Sequence, residues 1–323
     1  MFEQKDMEHH INEKRLQAVP EITDQIYYFI GCTEKTYPGI NNAFIEICKI
    51  IGNEPITSNK QSCCAGNFIA FNTAPLETVV ALTQRNYNLI KEYAHSCVTT
   101  CNGCFSSFHN CNAWAEHSSD IKKKVKGILE KLDKDYIEDI GVFHVGEYLY
   151  KHRKLLPQYA KHNLENVKIA VHYGCHFLHQ EDQGVIIDDI ENPTIIEEIL
   201  NELKADIVNY KEKALCCGAG LNQRVLKDDR MNALEITLKK MRSIGKHKPD
   251  AIVVVCPYCE LHLDNSQFEL EVEFDEDFDI PVLHLTELLG ILFELPEAVL
   301  KLDNHKISVD DFLEKVNYHG QMG

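Results

Sequence analysis

Ala251-Ile252-Val253-Val254-Val255-Cys256-Pro257-Tyr258-Cys259 is the stretch on which the fold is read. Five apolar residues, four of them β-branched, suit a strand buried on both faces of a sheet, and the run passes directly into a CxxC. Two other runs end on cysteine in the same way. Gln25-Ile26-Tyr27-Tyr28-Phe29-Ile30 precedes Gly31-Cys32, and Val167-Lys168-Ile169-Ala170-Val171-His172-Tyr173 precedes Gly174-Cys175. Helical patterns lie between them. Thr73 with Pro75 predicts the cap and first turn of a helix running to Tyr93, and Asn192-Pro193 predicts another running to Leu203. Strands alternating with helices predict an α/β fold with mainly parallel sheets and flanking helices. In such sheets ligands sit beyond the carboxyl ends of the strands, where these cysteines fall.

The cysteines repeat their grammar. Cys32, then Cys63-Cys64, then Cys101-Asn102-Gly103-Cys104 is matched by Cys175, then Cys216-Cys217, then Cys256-Pro257-Tyr258-Cys259. The gaps are 30 and 36 residues in the first copy and 40 and 38 in the second. A second marker involves no cysteine. Asp139-Ile140-Gly141-Val142-Phe143-His144-Val145-Gly146-Glu147-Tyr148-Leu149 matches Asp279-Ile280-Pro281-Val282-Leu283-His284-Leu285-Thr286-Glu287-Leu288-Leu289 at Asp, Ile, Val, His, Glu and Leu, and each string follows its own CxxC. A repeat of this length is a domain and not a solenoid unit. The expected organisation is an N-terminal extension over 1–25, a first domain over 26–153, and a second over 154–323 that includes a C-terminal tail. The connection is placed between Lys151 and Asn166.

Composition narrows the function. The chain has 323 residues, 44% of them hydrophobic and 26% charged, as in a folded globular protein. A net charge of −17 argues against a nucleic-acid partner. The polar start Met1 to His10 has no signal-peptide character, and the apolar run at 251–255 is far too short to span a bilayer. The expected location is therefore the reducing cytoplasm. There, thirteen clustered cysteines point to metal or redox chemistry and not to disulfides.

The Asn-Gly pair of CNGC predicts a turn that brings two thiolates to one centre. Adjacent cysteines point apart, by about 100° on a helix, so the Cys-Cys pairs favour a ligand larger than one ion. Zinc prefers four ligands and would leave a fifth cysteine over in each copy. A structural zinc in one copy stays as the alternative. Cys97-Val98-Thr99-Thr100-Cys101-Asn102-Gly103-Cys104 also spells CxxxCxxC, as in radical enzymes that use S-adenosylmethionine. The position matching Cys97 in the second copy is Ile252, so Cys97 reads as a buried hydrophobe on a strand. Cys48 and Cys111 also fall outside the shared pattern.

The doubled pattern resembles the CCG domain family, and the strings around it resemble heterodisulfide reductase B subunits. The likeness is carried by Phe29-Ile30-Gly31-Cys32, Tyr37-Pro38-Gly39-Ile40, Val98 to Cys104 and His172-Tyr173-Gly174-Cys175-His176. Cys216-Cys217-Gly218-Ala219-Gly220, Cys256 to Cys259 and Ile280-Pro281-Val282-Leu283-His284 complete it. The resemblance implies two pseudo-two-fold related CCG repeats, each with a non-cubane [4Fe-4S] cluster. Cys32, Cys63, Cys64, Cys101 and Cys104 would hold one cluster, and Cys175, Cys216, Cys217, Cys256 and Cys259 the other. It implies reduction of the small-molecule disulfide of coenzyme M and coenzyme B. A ferredoxin-like C subunit would be the donor and would itself be supplied by a flavin-containing A subunit. A hydrogenase or formate dehydrogenase would stand further away. The first copy departs from the pattern, since Cys63-Cys64 is followed by Ala65 and its glycine comes one place late.

The chain lacks a ferredoxin CxxCxxCxxxC string, a dinucleotide-binding glycine motif and a haem-attachment CxxCH, so electrons are expected from outside. His144, His172, His176 and His284 flank motifs and are read first as hydrogen-bonded structural groups. His176 and Arg224 are the candidates for substrate contact, with Lys227 beside Arg224. The acidic run Glu269 to Asp279 is expected to be an exposed loop. Rival functions are the CCG subunit of a succinate, fumarate or glycolate oxidoreductase, and a non-catalytic electron-transfer or zinc scaffold subunit.

Overall fold

The computed structural model describes residues 12–179, 185, 187–222 and 227–320. In chain order the first half runs α1 (Glu13–Ala18), β1 (Ile26–Phe29), α2 (Pro38–Ile51), α3 (Gly66–Ala70) and α4 (Leu76–Lys91). It continues with β2 (Ser96–Thr99), α5 (Asn102–His117), α6 (Ser119–Glu130), β3 (Gly141–His144) and α7 (Val145–Lys151). The second half runs β4 (Lys168–His172), α8 (Cys175–Leu178), α9 (Ile195–Glu202), β5 (Asp206–Val208), α10 (Ala219–Asn222) and α11 (Lys227–Gly245). β6 (Ala251–Val254), α12 (Pro257–Phe274), β7 (Val282–His284), α13 (Leu285–Leu292), α14 (Glu297–Leu300) and α15 (Asp310–Lys315) follow.

The strands form two wholly parallel sheets, β1-β2-β3 and β5-β4-β6-β7. Cys97 pairs with Tyr27 on one side and Val142 on the other, and Ile252 pairs with Ala170 and Val282. The match of Cys97 to Ile252 is thus a match of register at the middle of each sheet. All four β6 residues are fully buried, as the unbroken apolar run requires.

The repeats share one core. The helix after the last strand of each crosses to the other: α7 packs on α9, and α13 packs on α2. Apolar residues of both halves, from Phe44 and Leu149 to Ile196 and Leu289, join in one continuous cluster. Between β3 and β4, Arg153–Gln158 forms a short 3₁₀ helix, and Lys161 N donates to the carbonyl of Leu292 at 2.8 Å.

Three local expectations need correction. The helix expected from Thr73 begins at Leu76 with Pro75 at its cap, and the one expected from Asn192 begins at Ile195 after Thr194. CNGC is no turn, because Cys101 is the N-cap of α5 and Asn102-Gly103-Cys104 form its first turn. The acidic run is no loop in its first half. Buried Leu263, Gln267 and Leu270 hold α12 through Phe274, and Asp275 ends it in a left-handed conformation (φ 56°). The Gln267 amide clasps Ile280, donating to its carbonyl at 2.8 Å and accepting from its N–H at 2.9 Å.

Candidate iron–sulfur site

Every cysteine of the shared pattern comes to the carboxyl end of its sheet. Cys101 follows β2 and Cys256 follows β6, and both are N-caps in extended conformation at helices that carry the second cysteine one turn on. The Cys-Cys pairs sit on bends. Ala65 (φ 67°) follows Cys64 and Gly218 (φ +102°) follows Cys217, so the backbone turns sharply after each pair and neighbouring thiols reach one centre. At Gly218 a Cβ would stand 2.6 Å from the carbonyl of Ala233, which leaves room for glycine alone. The Cys217 carbonyl is fixed by Thr237 Oγ1 at 2.8 Å, and that of Cys64 by Ser107.

The ten thiols form one ladder. Thiol neighbours run from Cys32 to Cys63, Cys64, Cys104 and Cys101. The ladder crosses between repeats from Cys101 to Cys256. It then runs through Cys259, Cys217 and Cys216 to Cys175, with Cys217 and Cys259 Sγ 3.5 Å apart. The sequence is the same read from either end, with the pseudo-two-fold axis between Cys101 and Cys256. Its ends are open, with Cys32 and Cys63 exposed and Cys175 and Cys216 half-buried, while the six inner thiols are buried. No cysteine is in a disulfide. All ten line a single cavity of about 280 Å³.

Charge distribution along the ladder follows the neighbouring thiols. Cys64, Cys256 and Cys216 are each held well below the usual thiol range, by the thiols of Cys104, Cys101 and Cys175 respectively. Cys217 is pushed up to about 12, first by its hydrogen bond with Cys216. The three thiols held low are separated along the ladder by thiols that are pushed up. Crowded thiolates need a cation to ionise together.

The histidines explain the second sequence marker. His144 and His284 are N-caps of α7 and α13, with Glu147 and Glu287 closing a capping box at the third helical position. His284 Nε2 also donates to the carbonyl of Thr100, next to Cys101, at 3.2 Å. His144 meets the backbone of Val255, next to Cys256. The second repeat thus braces the first repeat's CxxC. An H-x-x-E string after a strand was the signal for this. Burial pushes His144 and His172 down to about 3, so both are neutral. His172 is fully buried within ligand distance of Cys217 and Cys259, and neither of its ring nitrogens has a well-formed hydrogen bond. His176 is exposed on the cavity wall. Arg224 and the Lys227 side chain lie outside the described residues. Cys48, Cys97 and Cys111 are fully buried away from the cavity.

The sequence profile of the CCG cysteine-rich domain matches the chain twice, over residues 26–109 and 169–264. The chain belongs to the CCG cysteine-rich domain family. This CCG protein is 30% identical over 306 residues to the B subunit of the ferredoxin:CoB-CoM heterodisulfide reductase of Methanosarcina mazei, covering 91% of this chain and 97% of the relative. It is 29% identical to the 8-methylmenaquinol:fumarate reductase membrane anchor subunit of Wolinella succinogenes, covering 87% and 95%. A hypothetical protein from Helicobacter pylori has a similar fold, with a TM-score of 0.69 at 13% identity over 92% of this chain and 56% of that one. Among the described residues no helix is long and apolar enough to cross a membrane.

The CCG cysteines fit an iron–sulfur centre. They are free thiols in two five-membered sets, and soft thiolates at this density suit polynuclear iron better than a single tetrahedral ion. With the family match and with relatives named as iron–sulfur proteins, this marks the chain as an iron–sulfur protein of the oxidoreductase subunits.

Proposed function

We propose that this chain is the disulfide-cleaving subunit of a heterodisulfide reductase. It would hold two [4Fe-4S] clusters of non-cubane type, one on Cys32, Cys63, Cys64, Cys101 and Cys104 and one on Cys175, Cys216, Cys217, Cys256 and Cys259. The observation that carries the reading is the single cavity lined by both sets of five, meeting at Cys101 and Cys256. Five donors per set leave none for a separate redox pair, so the chain's own thiols act as ligands and not as the reductant.

Reduction of R–S–S–R′ takes two electrons and two protons and yields two thiols. When bound, the two clusters supply the electrons, one centre for each sulfur. With the two sets related by a pseudo-two-fold axis, one cavity would offer five thiols to either half of a disulfide. His284 braces the first CxxC across that axis. His176, exposed on the cavity wall, stands where a substrate's acidic groups would pass. The disulfide of coenzyme M and coenzyme B is the proposed substrate. The proposed partners are a ferredoxin-like C subunit and a flavin-containing A subunit, with a hydrogenase or formate dehydrogenase beyond them.

The likeness to a fumarate reductase subunit favours a second reading, in which the same pair of centres passes electrons to a flavoprotein. Anaerobically purified chain supplied with a reduced low-potential dye separates the two. The first reading expects stoichiometric release of two thiols per heterodisulfide, with no oxidation of a nicotinamide. Dye oxidation by fumarate in the presence of a flavoprotein, without heterodisulfide turnover, would establish the second.

A further inference from the structure

Away from the thiol ladder, the second repeat buries two carboxyl groups beside one imidazole. Glu260 follows Cys259 in α12, and Glu287 is the capping-box residue of α13. His305 arrives from the segment after α14. All three side chains are at most 1% exposed. His305 Nε2 lies 3.7 Å from Glu260 Oε1 and 3.5 Å from Glu287 Oε2. These separations are too long for charge-assisted hydrogen bonds, which run about 2.7–2.9 Å. They suit donors around one ion, since ligands about 2.1 Å from a tetrahedral metal stand about 3.4 Å apart. Both oxygens of Glu260, Oε1 of Glu287 and both ring nitrogens of His305 lack a well-formed hydrogen bond. Burying such atoms unpaired costs about 1–3 kcal/mol each, more when charged.

The surroundings fix these donors in place. Asp264, one turn beyond Glu260, accepts from the backbone N–H groups of Lys306 and Ile307 at 2.8 and 2.9 Å, clamping the chain on the far side of His305. Tyr37 donates to the same carboxylate at 2.6 Å and lays its ring 5.1 Å from that of His305. Gly39 leaves room for Glu287, since a Cβ there would stand 2.8 Å from its Oε1. The first repeat shows what a filled version looks like. Glu147, matching Glu287, receives Arg15 Nε at 2.6 Å and Nη2 at 3.1 Å, and the residue matching Glu260 is the apolar Phe105. One carboxylate there meets one cation. The second repeat sets two carboxylates against a single imidazole.

We propose that Glu260, Glu287 and His305 form a mononuclear divalent-cation site. One imidazole and two carboxylates suit Zn²⁺ or a similar first-row ion. The ion would balance both carboxylates with the histidine neutral. It would tie together α12, α13 and the C-terminal segment, behind the helix start that carries Cys256 and Cys259. The site uses no cysteine, so its occupancy is independent of the iron–sulfur reading.

Zinc is the probe. Full-length chain purified anaerobically, stripped with a mild chelator and resupplied with Zn²⁺ should retain about one zinc per chain in addition to its iron, and X-ray absorption should show nitrogen and oxygen ligands at about 2.0–2.1 Å with no sulfur. Glu260→Gln and His305→Ala should lose that zinc while keeping iron and sulfide. Added Zn²⁺ should raise the melting temperature of the parent chain but not that of either variant. A parent chain that takes up no stoichiometric zinc overturns the proposal. So does zinc held through sulfur, or a variant that binds zinc as the parent does.

Discussion

Glu147 and Glu287 occupy matching places in the two repeats, third in matching helices, yet they are closed off by different means. A segment flanking the strands and helices of the repeats supplies the nitrogen partner in each case. Arg15 comes from α1 and also lies over Phe143, 4.5 Å from its ring centre, while His305 comes from the C-terminal segment. The arginine holds a fixed charge in a fork that fits one carboxylate. The histidine stands among three acids, of which Asp264 alone is fully hydrogen-bonded by its neighbours. The same contrast recurs closer to the sulfur. Phe29 ends β1 where His172 ends β4, and Ala65 turns the chain where Gly218 does. The duplication kept the ladder of thiols and the capping boxes and changed what surrounds them. Two centres held this way would share a ligand pattern while differing in the groups behind it.

The largest effects should come from the ladder itself. Cys64→Ser and Cys217→Ser should each remove about half of the iron, because a harder oxygen ligand suits iron–sulfide less well. Either loss should abolish disulfide cleavage while the other centre's spin-resonance spectrum survives. Full turnover in one of them would make that centre a relay only. Cys48→Ala, Cys97→Ala and Cys111→Ala should keep both centres and cost about 1–2 kcal/mol of packing each. Iron loss in Cys97→Ala would revive the CxxxCxxC reading.

The bends should respond in opposite directions. Gly218→Ala meets both a positive φ and the Ala233 carbonyl, so it should destabilise the fold by about 2–4 kcal/mol and loosen the second centre. Ala65→Gly relieves a left-handed alanine and should stabilise by up to about 1 kcal/mol. Anaerobic urea unfolding measures both, and effects of the same sign would mean that the two bends do not share the left-handed conformation.

Acid should act through the neutral caps. His144 is pushed from 6.5 down to about 3 by burial, so its contribution is fully present above pH 6.5 and is lost as pH falls toward 3. That loss runs at up to about 1.4 kcal/mol per pH unit. His144→Asn keeps a capping acceptor without the titration. It should therefore show a shallower fall in stability between pH 6 and 4, and an unchanged slope would mean that His144 is charged in the folded chain.

The smallest effect separates the two centres electronically. A neutral imidazole N–H near Cys217 and Cys259 can donate toward thiolate sulfur, and such donation raises a cluster's potential. His172→Phe should lower the potential of the second centre alone, and Phe29→His should raise that of the first. A redox titration followed by spin resonance reads each, and a shift of both centres in one variant would remove the local explanation.

Much of this was legible because it is local. An apolar run ending on cysteine marks a parallel strand whether or not its partners are known, and two copies of one spacing set the symmetry. What escaped depends on tertiary contacts. Nothing near Cys101-Asn102-Gly103-Cys104 separates a turn from a helix start until α5 is seen to be held by Phe105 and Phe108 in the core. The charge of Glu269 to Asp279 hid the buried stripe of Leu263, Gln267 and Leu270, which was present in the spacing. The ladder's crossing from Cys101 to Cys256 joins residues far apart in the chain, and His305 reaches Glu287 only because Asp264 binds the backbone beside it.

The central claim, that ten cysteines hold two like centres about one axis, is tested most directly by counting iron and acid-labile sulfide in chain purified without oxygen. The account predicts about eight of each per chain, in two four-iron centres. Four of each, with a zinc bound through sulfur on the remaining five cysteines, would contradict it.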